Sequence, residues 1–212
     1  MTFAVFLDLD GTLVDSRPGI VSSLVYALTV TGHPELAASD LTWMIGPPFV
    51  ESFAKAGISD PATAIEAYRL KYQEAGMYDA QVYAGIPEAM DAIGLAGARL
   101  YLATAKPNAY AKLITAHFGL APRFVAEYGP ELDGTRNWKG DLLAHALSET
   151  GEDPARSVMI GDRHHDVAAA AEVGMPSLAV GWGYGTADEW QGARAVLDRP
   201  DQMPEAVARL FA

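Results

Sequence analysis

The chain has 212 residues, half of them apolar, which suffices for one ordinary domain or for one domain that carries a sizeable insertion. Its formal net charge of -12 at pH 7 argues against nonspecific nucleic-acid binding, because phosphate backbones are bound by clustered Lys and Arg. No Cys occurs in the chain, which excludes disulfides, cysteine nucleophiles and zinc sites that use cysteine.

The first residues are apolar, but they lack a basic leader, and Asp8 and Asp10 interrupt the apolar run. No uninterrupted apolar stretch is long enough to span a bilayer. We therefore expect a soluble, cytoplasmic protein that has neither a membrane partner nor a nucleic-acid partner. The oligomeric state stays open.

Short apolar runs alternate with helical patterns through most of the chain. The first run, residues 3–9, has few polar residues, which is typical of a strand that is buried on both faces of a parallel sheet. The other predicted strands are 100–103, 157–160, 177–180 and 195–197, and the clearest predicted helices are 107–118, 141–150 and 202–211. This alternation predicts an α/β fold, namely a doubly wound parallel sheet with helices on both faces.

One segment, residues 17–77, breaks the alternation, because it contains helical patterns and no convincing strand. Ser39-Asp40 and Asp60-Pro61 indicate helix starts within it, since a short polar side chain caps free amides and proline fits the first helical turn. The segment therefore indicates an inserted helical domain. The predicted domains are a catalytic core, 1–14 and 83–212, and a helical cap, 15–82.

Polar residues follow three of the predicted strands, at the carboxyl ends where open parallel sheets bind ligands. These residues are Asp8, Asp10, Gly11 and Thr12 at the end of the first strand, Thr104 and Lys106 after the second, and Gly161 and Asp162 after the third, with Asp166 one helical turn later. Lys139 lies between the last two groups in the chain, just before a helix. Carboxylates that converge on one point repel each other, so such a cluster indicates a hard cation, for which Mg2+ is the natural choice. The cation, together with Lys106 or Lys139, would neutralise a phosphate dianion beside a carboxylate nucleophile.

These motifs resemble, in order, the four motifs of haloacid dehalogenase-type phosphatases. The matching residues are 8–16 (DLDGTLVDS), Thr104, Lys139 and 161–166 (GDRHHD), and the resemblance covers nearly the whole chain. The similarity is greatest to the phosphoglycolate phosphatase-like branch. Residues 133–136 and 182–185 also resemble sequences of that branch. The resemblance implies a Rossmann-like core with a cap inserted after the first motif, and a magnesium-dependent phosphatase that acts on a small, phosphoglycolate-like metabolite.

The resemblance also implies a role for each acidic residue. Asp8 would attack phosphorus and form an aspartyl-phosphate, while Asp10 would act as the general acid and later as the general base. Mg2+ would be held by the Asp8 carboxylate, the Asp10 backbone carbonyl and Asp162. Asp166 would contact the cation indirectly, through bound water or through a hydrogen bond to one of its ligands.

The remaining predicted residues would bind the phosphate or the rest of the substrate. Thr104 would hold the transferring oxygens, and Lys139 would offset charge on the phosphoryl group and on Asp8. The candidate substrate-binding residues are Gly11, Thr12, Gly46, Pro47, Lys106 and Arg136.

Several alternatives to this interpretation stay open. A sugar phosphomutase of the same family would return the phosphoryl group to a sugar, and a regulatory or binding protein could keep the fold without catalysis. Nucleotides and sugar phosphates remain candidate substrates. A metal role for His164 and His165 is disfavoured, because adjacent residues that enter a helix point in different directions.

Overall fold

The computed structural model describes residues 3–211, and the chain divides into two compact units. The larger unit comprises the residues up to Val14 and those from Val82 onwards, and the smaller unit is Asp15–Gln81. Within the described range, no helix combines the length and the apolar character that a membrane crossing requires.

The larger unit is built on a parallel sheet. In chain order the strands of the protein are β1 (Ala4–Leu7), β2 (Val14–Asp15), β3 (Gln81–Val82), β4 (Arg99–Ala103), β5 (Ala126–Tyr128), β6 (Ser157–Gly161), β7 (Ser177–Val180) and β8 (Val196–Leu197). Six of them form one sheet in the order β5-β4-β1-β6-β7-β8, and its pairs are parallel. β2 and β3 form a separate two-stranded sheet. The predicted α/β fold is confirmed.

The strand order reverses at β1, which lies between β4 and β6. From β1 the chain builds outward through β4 and β5 on one side, and then through β6, β7 and β8 on the other. Open sheets of this kind bind ligands at the reversal point, outside the carboxyl ends of the strands. The residues that follow β1, β4 and β6 therefore occupy the position where a ligand is expected.

Helices connect the strands and form the smaller unit. The α-helices are α1 (Arg17–Val30), α2 (Pro34–Ala37), α3 (Phe49–Lys55), α4 (Pro61–Lys71), α5 (Ile86–Leu95), α6 (Asn108–His117), α7 (Lys139–Thr150), α8 (His164–Glu172) and α9 (Met203–Leu210). α4 continues into a π-helical turn, Tyr72–Gly76.

The core of the larger unit lies against the sheet. All four residues of β1 are fully buried, as expected for a strand that is covered on both faces. Phe6 stacks on Tyr101 with ring centroids 5.0 Å apart, and Leu143 of α7 belongs to the same cluster. Burying one such side chain stabilises the fold by about 1.5–3 kcal/mol, so this cluster holds the site-bearing strand in place.

The smaller unit confirms one predicted helix start and corrects another. Asp60 accepts a hydrogen bond from the Thr63 amide at 3.1 Å, and α4 begins at Pro61 as predicted. The predicted start at Ser39-Asp40 is wrong, because the residues that follow form only the single 3-10 turn Thr42–Met44, whose first amide donates to Asp40 at 2.9 Å. The helix cannot continue there, since Pro47 and Pro48 follow and supply no amide hydrogen.

Candidate active site

The first motif turns sharply after β1. The Asp8 amide donates to the Ile160 carbonyl at 3.0 Å, so pairing with β6 extends one residue beyond the strand. The Leu9 carbonyl then accepts amides from the following turn, in which Gly11 has a φ of 81°. A Cβ at Gly11 would also collide with the Asp162 carboxylate. Glycine thus permits both the turn and the close approach of the two motifs.

The last motif carries two carboxylates on the adjacent strand and helix. Asp162 follows β6, is fully buried, and accepts a hydrogen bond from the Tyr184 amide at 2.7 Å. Asp166 lies in the first turn of α8, where it accepts from the Arg163 amide at 3.0 Å. A Cβ at Gly161 would overlap the Asp166 side chain. The glycine therefore lets Asp166 fold back against the end of β6.

Three carboxylates meet at the carboxyl ends of β1 and β6. Oxygen atoms of Asp8, Asp162 and Asp166 lie within 4.8 Å of one another, and all three residues are buried. Lys139, the first residue of α7, places its Nζ 2.9 Å from Asp8 Oδ1 and forms an ion pair with Asp166 as well. Its ammonium group is thus shared between two of the three carboxylates.

The electrostatics of this cluster follow from burial. Burial raises the pKa of Asp8 from 3.8 to about 6, against the opposing charge of Lys139. Burial, followed by the charges of Asp166 and Asp8, raises the pKa of Asp162 to about 8. Burial alone would lower the pKa of Lys139, but the two carboxylates it contacts outweigh burial and raise that pKa.

The donor set fits a hard cation. The clustered atoms are carboxylate oxygens, which Mg2+ and similar ions prefer, and the ammonium group of Lys139 pairs with only two of the three buried carboxylates. A divalent cation beside Asp8 and Asp162 would favour their ionised forms and so counter the rise in their pKa values. The cluster is therefore able to hold a metal ion.

The second motif brings another lysine to the site. Lys106 places its Nζ 2.9 Å from Oδ2 of Asp10, and both side chains are largely buried. The Lys106 amide donates to Thr104 Oγ1 at 3.2 Å, and Thr104 is itself buried. The two lysines thus contact different members of the first motif, Lys139 at Asp8 and Lys106 at Asp10.

The loop after β7 packs against both acidic motifs. Trp182 donates from Nε1 to the Thr12 carbonyl at 3.0 Å, and Trp190 donates from Nε1 to the Asp162 carbonyl at 2.7 Å. A Cβ at Gly183 or Gly185 would collide with the Asp162 region. Residues 182–185 were singled out only by their resemblance to the family, and no sequence signal pointed to Trp190.

The two adjacent histidines differ in their surroundings. His164 Nδ1 lies 3.1 Å from Glu189, whose carboxylate also accepts from Arg163 Nε at 2.8 Å. Burial, followed by the charge of His164, lowers the pKa of His165 to about 4. Glu189 is a partner that sequence reasoning missed, because it lies 25 residues from His164 in the chain.

The other candidate substrate residues lie in different parts of the chain. Arg136 has a φ of 60° and pairs with Glu131 at 2.8 Å in the loop before α7. Gly46 and Pro47 belong to the smaller unit. Thr12 is buried and donates from Oγ1 to Asp162 Oδ1 at 3.4 Å. Substrate contact by these residues stays a prediction.

Comparisons with known proteins agree with this arrangement. The family model for haloacid dehalogenase-like hydrolases matches residues 5–180. A 5'-nucleotidase of Pseudomonas aeruginosa is 41% identical over 188 residues, which cover 87% of this chain and 85% of that protein. A phosphoglycolate phosphatase of Caulobacter vibrioides is 30% identical over 98% of this chain and 91% of its own length.

One further relative and one crystal structure extend the comparison. The tyrosine-protein kinase PtkA of Mycobacterium tuberculosis is 43% identical over 87% of this chain, but the match spans only 64% of that protein. The crystal structure of a predicted phosphatase from Clostridium acetobutylicum has a TM-score of 0.92 at 32% identity, and the match covers 99% of this chain and 100% of that one. The chain belongs to the haloacid dehalogenase-like hydrolases, in the branch similar to phosphoglycolate phosphatases, and it is a phosphatase.

Proposed function

We propose that this phosphatase hydrolyses a small phosphate monoester with Mg2+ as its cofactor and with Asp8 as the nucleophile, through an aspartyl-phosphate. One observation carries the proposal: Asp8 lies buried at the end of β1, beside Asp162 and Asp166, with Lys139 held between Asp8 and Asp166. A carboxylate in this position has a charge partner that holds it in one orientation, which a nucleophile requires.

Each residue of the cluster has a role in the proposed reaction. Lys139 contacts Asp8 Oδ1, so we assign the attack on phosphorus to Oδ2. Asp10 protonates the leaving alcohol, and it later takes a proton from the water that hydrolyses the intermediate. Thr104 and the amides of the turn after Asp8 hold the phosphoryl oxygens.

The proposed metal ligands are Asp8, the Asp10 backbone carbonyl and Asp162, with Asp166 supporting them. When bound, Mg2+ would neutralise negative charge on the transferring phosphoryl group. Lys139 adds a fixed positive charge beside Asp8 Oδ1, and its side chain is sufficiently buried that water screens this charge little.

Two relatives support two different substrate classes, and one set of phosphate-release assays distinguishes between these classes. The phosphoglycolate phosphatase of C. vibrioides supports a phosphoglycolate-like acid, and the 5'-nucleotidase of P. aeruginosa supports a nucleoside 5'-monophosphate. We would measure phosphate release from phosphoglycolate, nucleoside monophosphates, sugar phosphates and an aryl phosphate, each with Mg2+ and with EDTA. The substrate with the highest kcat/KM identifies the class.

The same assay tests the mechanism with a matched pair of variants. Asp8→Asn should abolish turnover, because an amide is a poor nucleophile, whereas Asp201→Asn changes a carboxylate whose side chain is 67% exposed and should keep full activity. Full activity of Asp8→Asn, or of the wild type in EDTA, would contradict the proposal. Phosphoryl transfer to a sugar phosphate without release would indicate the mutase, and silence across the panel would favour a binding protein.

A further inference from the structure

The ion pair between Lys106 and Asp10 has no role in the mechanism described above. We infer that Lys106 is a positioning residue, which holds the Asp10 carboxylate in the orientation that proton transfer needs, and that it is not a contact for the substrate phosphate. The inference rests on the proposed function, because it takes the role of Asp10 as general acid and base from there.

The contact itself is short and shielded from water. Lys106 Nζ lies 2.9 Å from Asp10 Oδ2, and the two side chains are only 5% and 13% exposed. Water therefore competes weakly for either group, and the pair is far more persistent than an ion pair on an open surface. Lys139 likewise forms buried ion pairs with Asp8 and Asp166. Each of the two lysines thus pairs with a different aspartate of the first motif, Lys139 with Asp8 and Lys106 with Asp10.

The backbone of Lys106 is fixed on both sides of the residue. The Lys106 amide donates to Thr104 Oγ1 at 3.2 Å, and the Asn108 amide donates to the Pro130 carbonyl at 2.8 Å. A Cβ at Gly129 would collide with the Lys106 carbonyl, so the loops after β4 and β5 touch at this point. The fixed backbone and the burial of the side chain together restrict where the Lys106 ammonium group can lie.

The consequence for catalysis concerns the geometry of Asp10. In the first step the Asp8 Oδ2–phosphorus bond forms and the ester P–O bond breaks, and the proton of Asp10 passes to the leaving oxygen. In the second step water attacks phosphorus, the bond between phosphorus and Asp8 Oδ2 breaks, and a proton of the water passes to Asp10. Each transfer requires the carboxylate within about 2.6–3.2 Å of the reacting oxygen. By fixing one carboxylate oxygen, Lys106 limits the rotation of the other.

The experiment compares two leaving groups. An alkyl phosphate releases a basic alkoxide that needs a proton, whereas 4-nitrophenyl phosphate releases a phenolate that leaves without one. In Lys106→Met we expect kcat/KM for the alkyl ester to fall by about 10²-fold or more, within the range that general acid catalysis contributes. The loss for the nitrophenyl ester should stay below about tenfold, since only orientation toward the leaving group is lost.

Three further variants complete the design. Lys112→Met makes the same change at an exposed lysine of α6 and should match the wild type with both esters. Lys106→Arg keeps the charge and should recover part of the alkyl activity. In the Asp10→Asn background Lys106→Met should cause no further loss, because Lys106 acts through Asp10.

The outcomes separate this inference from the proposed function. Equal losses with both esters would overturn the inference, because a phosphate contact weakens every substrate alike, and so would wild-type kinetics in Lys106→Met. If Lys106→Met fails to fold, the same ratio is measured for Lys106→Arg, for which a selective loss with the alkyl ester is expected. A wild type that hydrolyses neither ester would remove the proposed function together with the inference.

Discussion

Lys139 is the residue on which the charge balance of the site depends most. It contacts Asp8 and Asp166, and all three side chains are buried. Because one ammonium group serves two carboxylates, removing it leaves two buried negative charges without their partner. Loss of Lys139 should therefore lower the stability of the fold as clearly as it lowers turnover.

We predict that Lys139→Met lowers kcat by about 10²–10³-fold, as loss of one group that stabilises transition-state charge does elsewhere. The metal-free variant should also lose about 3–5 kcal/mol of unfolding free energy, the usual cost of breaking a buried ion pair on one side. Thermal unfolding and steady-state kinetics measure the two effects. Unchanged kcat in a folded variant would contradict the role assigned to Lys139.

The raised pKa values of Asp8 and Asp162 predict how metal-free stability varies with pH. Both groups keep their protons at pH values at which the unfolded chain, with a pKa of 3.8, has already ionised. Their stabilising contribution is therefore complete below pH 3.8 and is lost as the pH rises through about 6 for Asp8 and about 8 for Asp162.

Asp162→Asn removes one of these two ionisable groups, so a comparison with the wild type isolates the contribution of Asp162 to the pH dependence of stability. In EDTA, the melting temperature of this variant should fall less than that of the wild type between about pH 6 and pH 8, because the amide does not ionise. Melting curves across that interval provide the test. Parallel slopes for the two proteins would show that Asp162 does not titrate there.

The elements that sequence reasoning identified share a strong local pattern. β7 has the predicted bounds, and β1, β4 and β6 differ from theirs by a few residues. β1 ends at Leu7, although the predicted strand continues to Leu9, because the turn after Asp8 uses the Leu9 carbonyl. An apolar pattern records burial, and Leu9 is as buried as the strand.

The prediction missed elements whose pattern is weak. β5 has three half-buried residues at the edge of the sheet, too few to show a period. In the site, Asp8 and Asp162 were predictable because the carboxyl ends of neighbouring strands bring them together, whereas Lys139, the first residue of α7, was predicted from its resemblance to the family motif. The contact of Lys106 with Asp10 depends on how two loops meet in space, and no spacing in the chain encodes it.

The contact between the loops after β4 and β5 predicts a sensitive glycine. In Gly129→Ala the added methyl group would collide with the Lys106 carbonyl, so the backbone must shift. We expect a loss of about 1–3 kcal/mol in stability, the usual cost of overpacking, together with reduced turnover of alkyl esters.

Gly94→Ala is the matched control, because its Cβ would point into open space within α5. That change should stabilise the protein by up to about 1 kcal/mol, since alanine favours a helix interior. Chemical denaturation of the two variants gives both values. A Gly129→Ala protein as stable as Gly94→Ala would mean that the two loops can separate without cost.

For the molecule as a whole, Mg2+ binding should add to global stability. A ligand that binds only the folded state at one hundred times its Kd contributes about 2.7 kcal/mol. We expect Mg2+ to raise the melting temperature of the wild type and of Asp201→Asn, and to leave Asp162→Asn almost unchanged. A full shift in Asp162→Asn would exclude this residue as a ligand.

The hydrogen bonds of the tryptophans have an optical consequence. The chain has four tryptophans, and the indoles of Trp182 and Trp190 donate to the carbonyls of Thr12 and Asp162. A third, Trp138, directly precedes Lys139 and is 57% exposed. Indole emission is sensitive to hydrogen bonding and to nearby charge, so the emission of Trp182 and Trp190 should respond to changes at the acidic cluster. Cation and phosphate titrations can therefore be followed in the unlabelled protein, with no substrate turnover.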